Sequence, residues 1–475
     1  MEELSQPLPS GKKYHSFYFN EIGFDPITDD FTVPSDTEMT TELLLRLIEE
    51  HRTKRLPRLM RLQAAYEDEF AIYNLPAKDP WKPDNRLAAS FPRCISDTFR
   101  GYFIGEPVKM QAANDAEQQW LDEYSRRNDQ DDVDEELAKL CDNYGIGFEL
   151  LYQNEEGRPG SVAVSPLSCF VVYDTSVLHR PLFGVRYSYD EEGRLKGSYS
   201  DADNVVPFAD GENGLAFGEP ESHAFGEVPI IQYSQNTEMR GVYEGVLNLV
   251  EAYCKALSEK ANDVEYFADA YLKVIGMRLD DDQKKDLREA RIINLWGDGE
   301  EGKGIDADFL AKPNADTTQE NLLERLETLI FKMAMVPDIS NEAFGTASGI
   351  ALKMRMQPMS NLAKTKEKKF KKSIRKRLRL LANYPEKGFD DWELVEIKMT
   401  RNMPEDLESE AALQGALAGL VSTETRLGQL PFVDNVRAEM ERMDEEKRAI
   451  GVAYGEGYPT ARAGKPQEDD QQEET

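Results

Sequence analysis

Apolar residues recur at helical spacing through most of this chain, broken once by a long stretch of β alternation. A helix is predicted to open at Ser35 or Thr37 and run through TELLLRLIEEHRTKRLPRLMRLQAAYEDE, with Pro57 breaking or kinking it because proline lacks a backbone donor. A second covers Leu87 to Ile104 and stops at Gly105, with Pro107 beyond. Residues 114–144 read as helical, with Trp120, Leu121, Leu137, Leu140 and Cys141 as the apolar stripe. From Gly145 to Ser234, short runs such as FELLYQN, FVVYD, PLFGVRYSY and VPIIQY alternate with Gly, Pro, Asp and Asn, the signature of antiparallel strands.

Helical periodicity returns at Gly241, with Val246, Leu249, Val250, Tyr253, Leu257 and Val264 on one face. Residues 268–318 form a small mixed module: YLKVIGM and ARIINLW as strands, DDQKKDLREA as a short helix. Residues 319–336 give another amphipathic helix, Leu322, Leu323, Leu326, Leu329, Ile330 and Met333 inward, ended by Pro337. A small-residue loop, DISNEAFGTASG, leads into a very long helix from Ile350 to about Leu381, and residues 404–450 carry one or two more. The fold class is therefore α+β, mainly α, with an N-terminal arm before it and the acidic, disordered tail AGKPQEDDQQEET after it.

Charge narrows the function. The 475 residues carry a formal −32, which keeps a protein soluble and opposes nonspecific wrapping of nucleic acid. The four cysteines, Cys94, Cys141, Cys169 and Cys254, have neither metal-ligand nor disulfide-framework spacing and read as free thiols in a reducing cytoplasm. The first residues, MEELSQPLPSGKKYHS, contain no apolar signal region, and no apolar run reaches the roughly 20 residues of a membrane helix.

No catalytic constellation emerges, so neither enzyme activity nor a metal or cofactor is expected. His15, His51, His179 and His223 are scattered, without an HExxH pairing or a GxSxG elbow. Gly297-Asp-Gly-Glu-Glu-Gly302-Lys303-Gly304 has the spacing of a phosphate-binding loop, but Gly304 stands where a magnesium-binding hydroxyl belongs. Asp298, Glu300 and Glu301 would repel phosphate, and a strand, IDADFL, follows instead of a helix N-terminus. A surface hairpin accounts for it better. The Asp280-Asp281-Asp282 run reads as a helix cap.

Three features carry more information. The helices 242–266 and 319–336 leave and return to one module, as an antiparallel stalk with a cap. Their carboxylates (Glu244, Glu251, Glu259 with Asn262; Glu320, Glu324, Glu327) form either a solvated face or the wall of an aqueous channel. An acidic wall would let a polyanion slide, whereas lysines would grip it by counterion release. The loop 338–349 is flexible and lies between helices, as functional loops often do. Last, Lys364, Lys366, Lys368, Lys369, Lys371, Lys372, Arg375, Lys376, Arg377 and Arg379 reverse the local charge of an acidic chain. This face would meet either DNA phosphates or the acidic faces of adjacent subunits.

Five stretches together resemble the portal proteins of long-tailed bacteriophages infecting Gram-positive hosts. DNRLAASFPRCISDTFRGYFIGEPVKM is similar to an early helix ending in a Tyr-x-x-Gly-x-Pro turn, here Tyr102 or Phe103, Gly105 and Pro107. GEVPIIQYSQNTEMRGVYEGVLNLVEAYCKALSEKANDVEYFADAYLKVIG resembles the strand, loop and stem helix that lead into the clip. ASGIALKMRMQPMSNLAKTKEKKF is similar to a Ser-Gly-x-Ala-Leu-Lys segment, at Ser348, Gly349, Ala351, Leu352 and Lys353, and DNYGIGFELLY and SPLSCFVVYD fall between in order.

The resemblance implies a homo-oligomeric ring, typically of twelve subunits, at one capsid vertex of the virion. Double-stranded DNA enters and leaves through it, and the packaging ATPase (terminase), head-completion or adaptor proteins and tail proteins dock on it. Capsid and scaffolding proteins surround it, no membrane is involved, and assembly takes place in the bacterial host's cytoplasm. The regions implied are an arm at 1–39, a wing at 40–240 and 350–403, stem helices at 241–267 and 319–337, and a clip at 268–318. A tunnel loop at 338–349, a crown at 404–460 and a tail at 461–475 complete them. The channel would be lined by Glu320, Glu324, Glu327, Asn341, Glu342, Phe344, Thr346 and Ser348, and the basic face presents Lys364, Lys368, Lys371, Lys372, Arg375 and Arg379. Two other readings remain: a non-portal structural ring or scaffold of the virion, and a nucleotide-binding enzyme using Gly297–Gly304.

Overall fold

A computed structural model describes residues 23–24, 30–79, 82–211, 214–268, 272–275, 306–309, 316–339, 349–385, 391–402, 415–428, 430, 433 and 436–455. The chain divides into two compact units, 1–402 and 403–475.

In the first unit, helix α1 (Thr41–Glu50) starts later than expected, where the Thr40 side chain accepts a hydrogen bond from the Leu43 amide at 3.2 Å. Leu43, Leu44, Leu47 and Ile48 form its buried stripe. Pro57 does not break the chain's helical path. A π-helical turn, His51–Arg55, leads directly into α2 (Leu56–Tyr66), where Pro57 occupies the first turn and its missing N–H has least to lose. The extra residue of the π turn rotates both His51 and Arg55 inward, and each is buried. His51 stays neutral: burial first, then Arg55, lowers its pKa to about 3. Its two ring nitrogens meet the Tyr187 hydroxyl at 2.8 Å and the Pro166 carbonyl at 3.1 Å, which one tautomer satisfies.

Helix α3 (Phe91–Ile104) stops at Gly105 as anticipated. The helix expected over 114–144 is two, α4 (Asp115–Arg127) and α5 (Gln130–Tyr144), separated where Asp129 adopts a left-handed φ of 46°. Gly145 ends α5 at φ 84°, a conformation that glycine alone adopts readily.

The β region forms two main sheets. Strands β4 (Ile146–Gln153), β5 (Pro159–Val164) and β12 (Ile230–Ser234) make an antiparallel sheet in the order β12-β4-β5. The larger sheet has β6 (Cys169–Asp174) to β10 (Gly214–Phe217) in sequence order, each antiparallel to the next. Its other edge departs from the antiparallel expectation: β2 (Phe31–Val33) pairs parallel with β6, Phe31 opposite Val172. That pairing places Phe31 and Val33 in the core beneath α1, with Leu44, Leu47, Phe170, Val172 and Val185.

Helix α6 (Leu247–Ala268) and the 316–334 helix (Asp316–Ala334) pack antiparallel, as Asp263 meeting Gln319 and Lys260 meeting Glu320 show. Between them Leu272–Ile275 pairs antiparallel with Asp306–Phe309, the described parts of the two segments YLKVIGM and IDADFL read as strands. The expected 280–290 helix, the ARIINLW strand and Gly297–Gly304 lie outside the described residues. The long helix spans Gly349–Asn383, close to the expected Ile350 to Leu381, with Pro358 accommodated inside it. Glu396–Lys398 then returns to pair with Lys109–Gln111. In the second unit, where one or two helices were expected over 404–450, the described residues show Thr423–Leu427 and Val436–Gly455.

Candidate functional site

The two acidic helix faces have different fates. In the turn before α6 and along it, the carboxylates are paired mostly with the 58–85 segment of the same chain. Glu244 accepts from Arg58 at 2.6 and 2.7 Å and from Arg240 at 2.8 Å, Glu251 meets Arg61 at 3.0 Å, and Glu259 meets Lys78 at 3.0 Å. Asn262 accepts from the Asn85 amide at 2.6 Å. Burial opposes ionisation of Glu244, yet Arg58 and Arg240 outweigh it and hold the carboxyl below its usual range. These carboxylates are thus ion-paired or hydrogen-bonded within the subunit.

The 316–334 helix pairs Glu320 with Lys260 but, among the described residues, gives Glu324 and Glu327 no ion-pair partner. Glu320, Glu324 and Glu327 border one open groove of about 650 Å³ together with Tyr253, Lys260 and Leu323. Glu320 is exposed and pairs with Lys260; Glu324 is exposed; Glu327 is half-buried. Desolvation first, then Asp338 and Glu324, raises the Glu327 pKa, so this end of the helix concentrates negative potential. The apolar stripe is only partly inward: Leu323 and Ile330 are buried, but Leu322 is 50% and Met333 56% exposed. The remaining tunnel positions, Asn341, Glu342, Phe344, Thr346 and Ser348, lie outside the described residues.

The basic run of the long helix is not one surface. Lys366 and Arg377 are completely buried. The Lys366 ammonium donates to Asp142 at 2.8 Å and to the Ala138 carbonyl at 3.0 Å, and lies 4.3 Å from the Phe103 ring centre. Burial, more than Lys366 offsets, raises Asp142 to about 6. Arg377 bonds Glu149 at 2.6 Å, Asp134, and the Tyr233 hydroxyl at 2.9 Å. Glu149 also accepts from Tyr233 at 2.7 Å and Ser161 at 2.6 Å, so each oxygen has a donor. Lys371 pairs with Glu367 at 2.7 Å and Arg379 with Glu227 at 2.7 Å, both within the subunit. Lys364, Lys368, Lys372 and Arg375 remain exposed, and among the described residues none has an ion-pair partner. Of the six residues expected on the basic face, Lys371 and Arg379 are thus paired within the subunit, and the buried seats of Lys366 and Arg377 were not anticipated from the sequence.

All four cysteines are free, with Cys94 exposed. Among the described residues no group of three or more His, Cys, Asp or Glu is arranged to hold a metal, and no helix is long and apolar enough to cross a membrane.

Comparisons with known proteins join these features. The family described as "Phage portal protein, SPP1 Gp6-like" matches residues 45–452. The chain is similar to the portal protein of Bacillus phage SPP1, 26% identical across 95% of this chain and 94% of that one. It is 24% identical to the portal protein of Clostridium phage phiCD119 over 50% of this chain and 52% of the relative. Among solved structures, a chain in the "Neck of empty GTA particle computed with C6 symmetry" aligns at TM-score 0.40 and 13% identity, over 76% of this chain and 90% of that chain. With a match that begins within α1 and runs into the last helix of the second unit, this chain belongs to the SPP1 Gp6-like family of phage portal proteins.

Proposed function

We propose that identical copies of this chain, twelve in the complete assembly, close into a ring at one capsid vertex, and that double-stranded DNA crosses the bore during packaging and ejection. The observation that carries this, beside family membership, is the contrast between the two acidic helices. Glu244, Glu251 and Glu259 are ion-paired inside the subunit, whereas Glu324 and Glu327 border an open groove with no ion-pair partner among the described residues. In a bore-lining position such a face keeps phosphates hydrated and mobile, because it offers no cations to displace the condensed counterions. On this reading 241–267 and 319–337 are the stem, 268–318 the clip, 338–349 the tunnel loop, and 404–460 the crown. The clip receives the packaging ATPase and later the head-completion and tail proteins, while the wing meets capsid and scaffolding proteins. ATP hydrolysis then belongs to the packaging ATPase.

Electron microscopy of the purified full-length chain should show rings with a bore that admits a duplex. A virion scaffold without conduit function would give a ring too narrow for it. Replacing Glu320, Glu324 and Glu327 by lysine should leave rings intact while slowing DNA packaging about tenfold or more, through added phosphate contacts. Unchanged packaging with this triple variant would remove these residues from the channel.

A further inference from the structure

We infer that the exposed basic stripe of the long helix, Lys364, Lys368, Lys372 and Arg375, docks on the carboxylates Asp122, Glu123, Asp131 and Asp132 of the next copy of this chain. The inference rests on the ring reading and names the surface that closes it. At 100° per residue, the four side chains lie roughly 130–170° around the helix from Lys366 and Arg377. Those two buried cations are tied to Asp142 and Asp134, both on α5. The stripe therefore points away from the α5 helix of its own subunit, and the subunit's own acidic helices cannot neutralise it.

Those helices are the complementary face. Residues 115–136 hold ten carboxylates against two cations, Arg126 and Arg127. Asp122, Glu123, Asp131 and Asp132 are exposed, and among the described residues none has an ion-pair partner. Glu135 and Glu136 are partly served within the subunit by Arg100 at 3.3 Å and Lys139 at 3.1 Å, and the exposed Asp115 and Asp129 join these four in having no ion-pair partner among the described residues. Asp131 is also partly desolvated with no cation to offset it, as its raised pKa reflects. A positive face directed away from a negative one on the same subunit gives head-to-tail contact, the heterologous geometry that closes into rings when the rotation is right. A nucleic acid is the other polyanion that could meet four cations. A second copy is favoured because it presents a cluster of exposed carboxylates without ion-pair partners, while the chain's −32 repels DNA from the surface at large.

The test uses full-length protein and mass photometry with negative-stain imaging at about 0.1 M salt. One variant reverses the stripe (Lys364→Glu, Lys368→Glu, Lys372→Glu, Arg375→Glu), one reverses the acids (Asp122→Lys, Glu123→Lys, Asp131→Lys, Asp132→Lys), and one combines both. Each single set should raise the subunit concentration for half-assembly by about tenfold or more, and the combination should return it to within about threefold of the parent. A neutral stripe (Lys→Gln at 364, 368 and 372, Arg375→Gln) should fall between, and circular dichroism should show every subunit folded. The inference is overturned if the reversed stripe assembles as the parent does, or if folded single sets fail and their combination does not recover. Normal rings that retain less DNA would assign the stripe to nucleic acid instead. A parent chain that forms no ring would overturn the ring reading itself, an outcome separate from all of these.

Discussion

Arg377 places a full guanidinium charge where solvent cannot reach, and its surroundings are built to receive it. Glu149, Asp134 and Tyr233 come from a strand, a helix and a second strand, so one side chain ties the long helix to three elements. Removing it would strand two carboxylates in a low-dielectric interior, at a cost of about 3–5 kcal/mol. Arg377→Met should therefore lower unfolding stability by that amount in urea titration of the monomer, whereas adding Asp134→Asn and Glu149→Gln to it should recover most of the loss. A cost below about 1 kcal/mol for the single variant would mean the network is solvated in the native state. The burial of this arginine was legible in principle. Met359, Ala363, Lys366, Phe370, Ile374, Arg377 and Leu381 follow the three-and-four spacing of a buried helix face, with two cations seated among apolar residues. Counting charge along the run hides this; asking which face each charge occupies reveals it.

At the scale of elements, periodicity identified nearly every helix and the β region, because each of those elements is amphipathic in isolation. What it did not anticipate depends on contacts distant in sequence. The π turn at His51–Arg55 is stabilised by Tyr187 and Pro166, more than a hundred residues away, and the parallel β2–β6 pair joins Phe31 to Val172. No local pattern encodes such partners. The junction of α5 and β4 is different, since a single glycine marks it. At Gly145 a Cβ would lie 2.0 Å from the Met239 carbonyl oxygen, a backbone atom that cannot swing aside, and φ is 84°. Gly145→Ala should destabilise the fold by at least about 2 kcal/mol, combining left-handed strain with the clash. Gly245→Ala is the control: a Cβ there meets nothing within 4 Å, and the change should stay within about 0.5 kcal/mol. Equal melting temperatures for the two variants would refute the steric account. The same joint sets where β4 carries Glu149 toward Arg377, so strain at Gly145 should also loosen the seat of the long helix.

For the whole molecule, assembly must overcome charge of one sign. Twelve copies at −32 each total −384, and at about 0.01 M salt the Debye length of about 30 Å lets neighbouring subunits repel through most of their width. At about 0.15 M that reach falls to about 8 Å, comparable with the separation across an interface, so only nearby charges still interact. The long-range repulsion is then largely gone while contacts between the basic stripe and the opposing carboxylates persist. At about 1 M the Debye length of about 3 Å weakens those contacts as well. Ring fraction should therefore rise from low to intermediate salt and fall again at high salt. Reversing the stripe changes the subunit from −32 to about −40 and removes the attractive contacts, so its curve should lose the high-salt decline and need more salt to rise. Mass photometry of both proteins across this range separates the two effects. A ring fraction independent of ionic strength in the parent chain would show that apolar contacts, such as those open to Leu322 and Met333, dominate subunit association over charge.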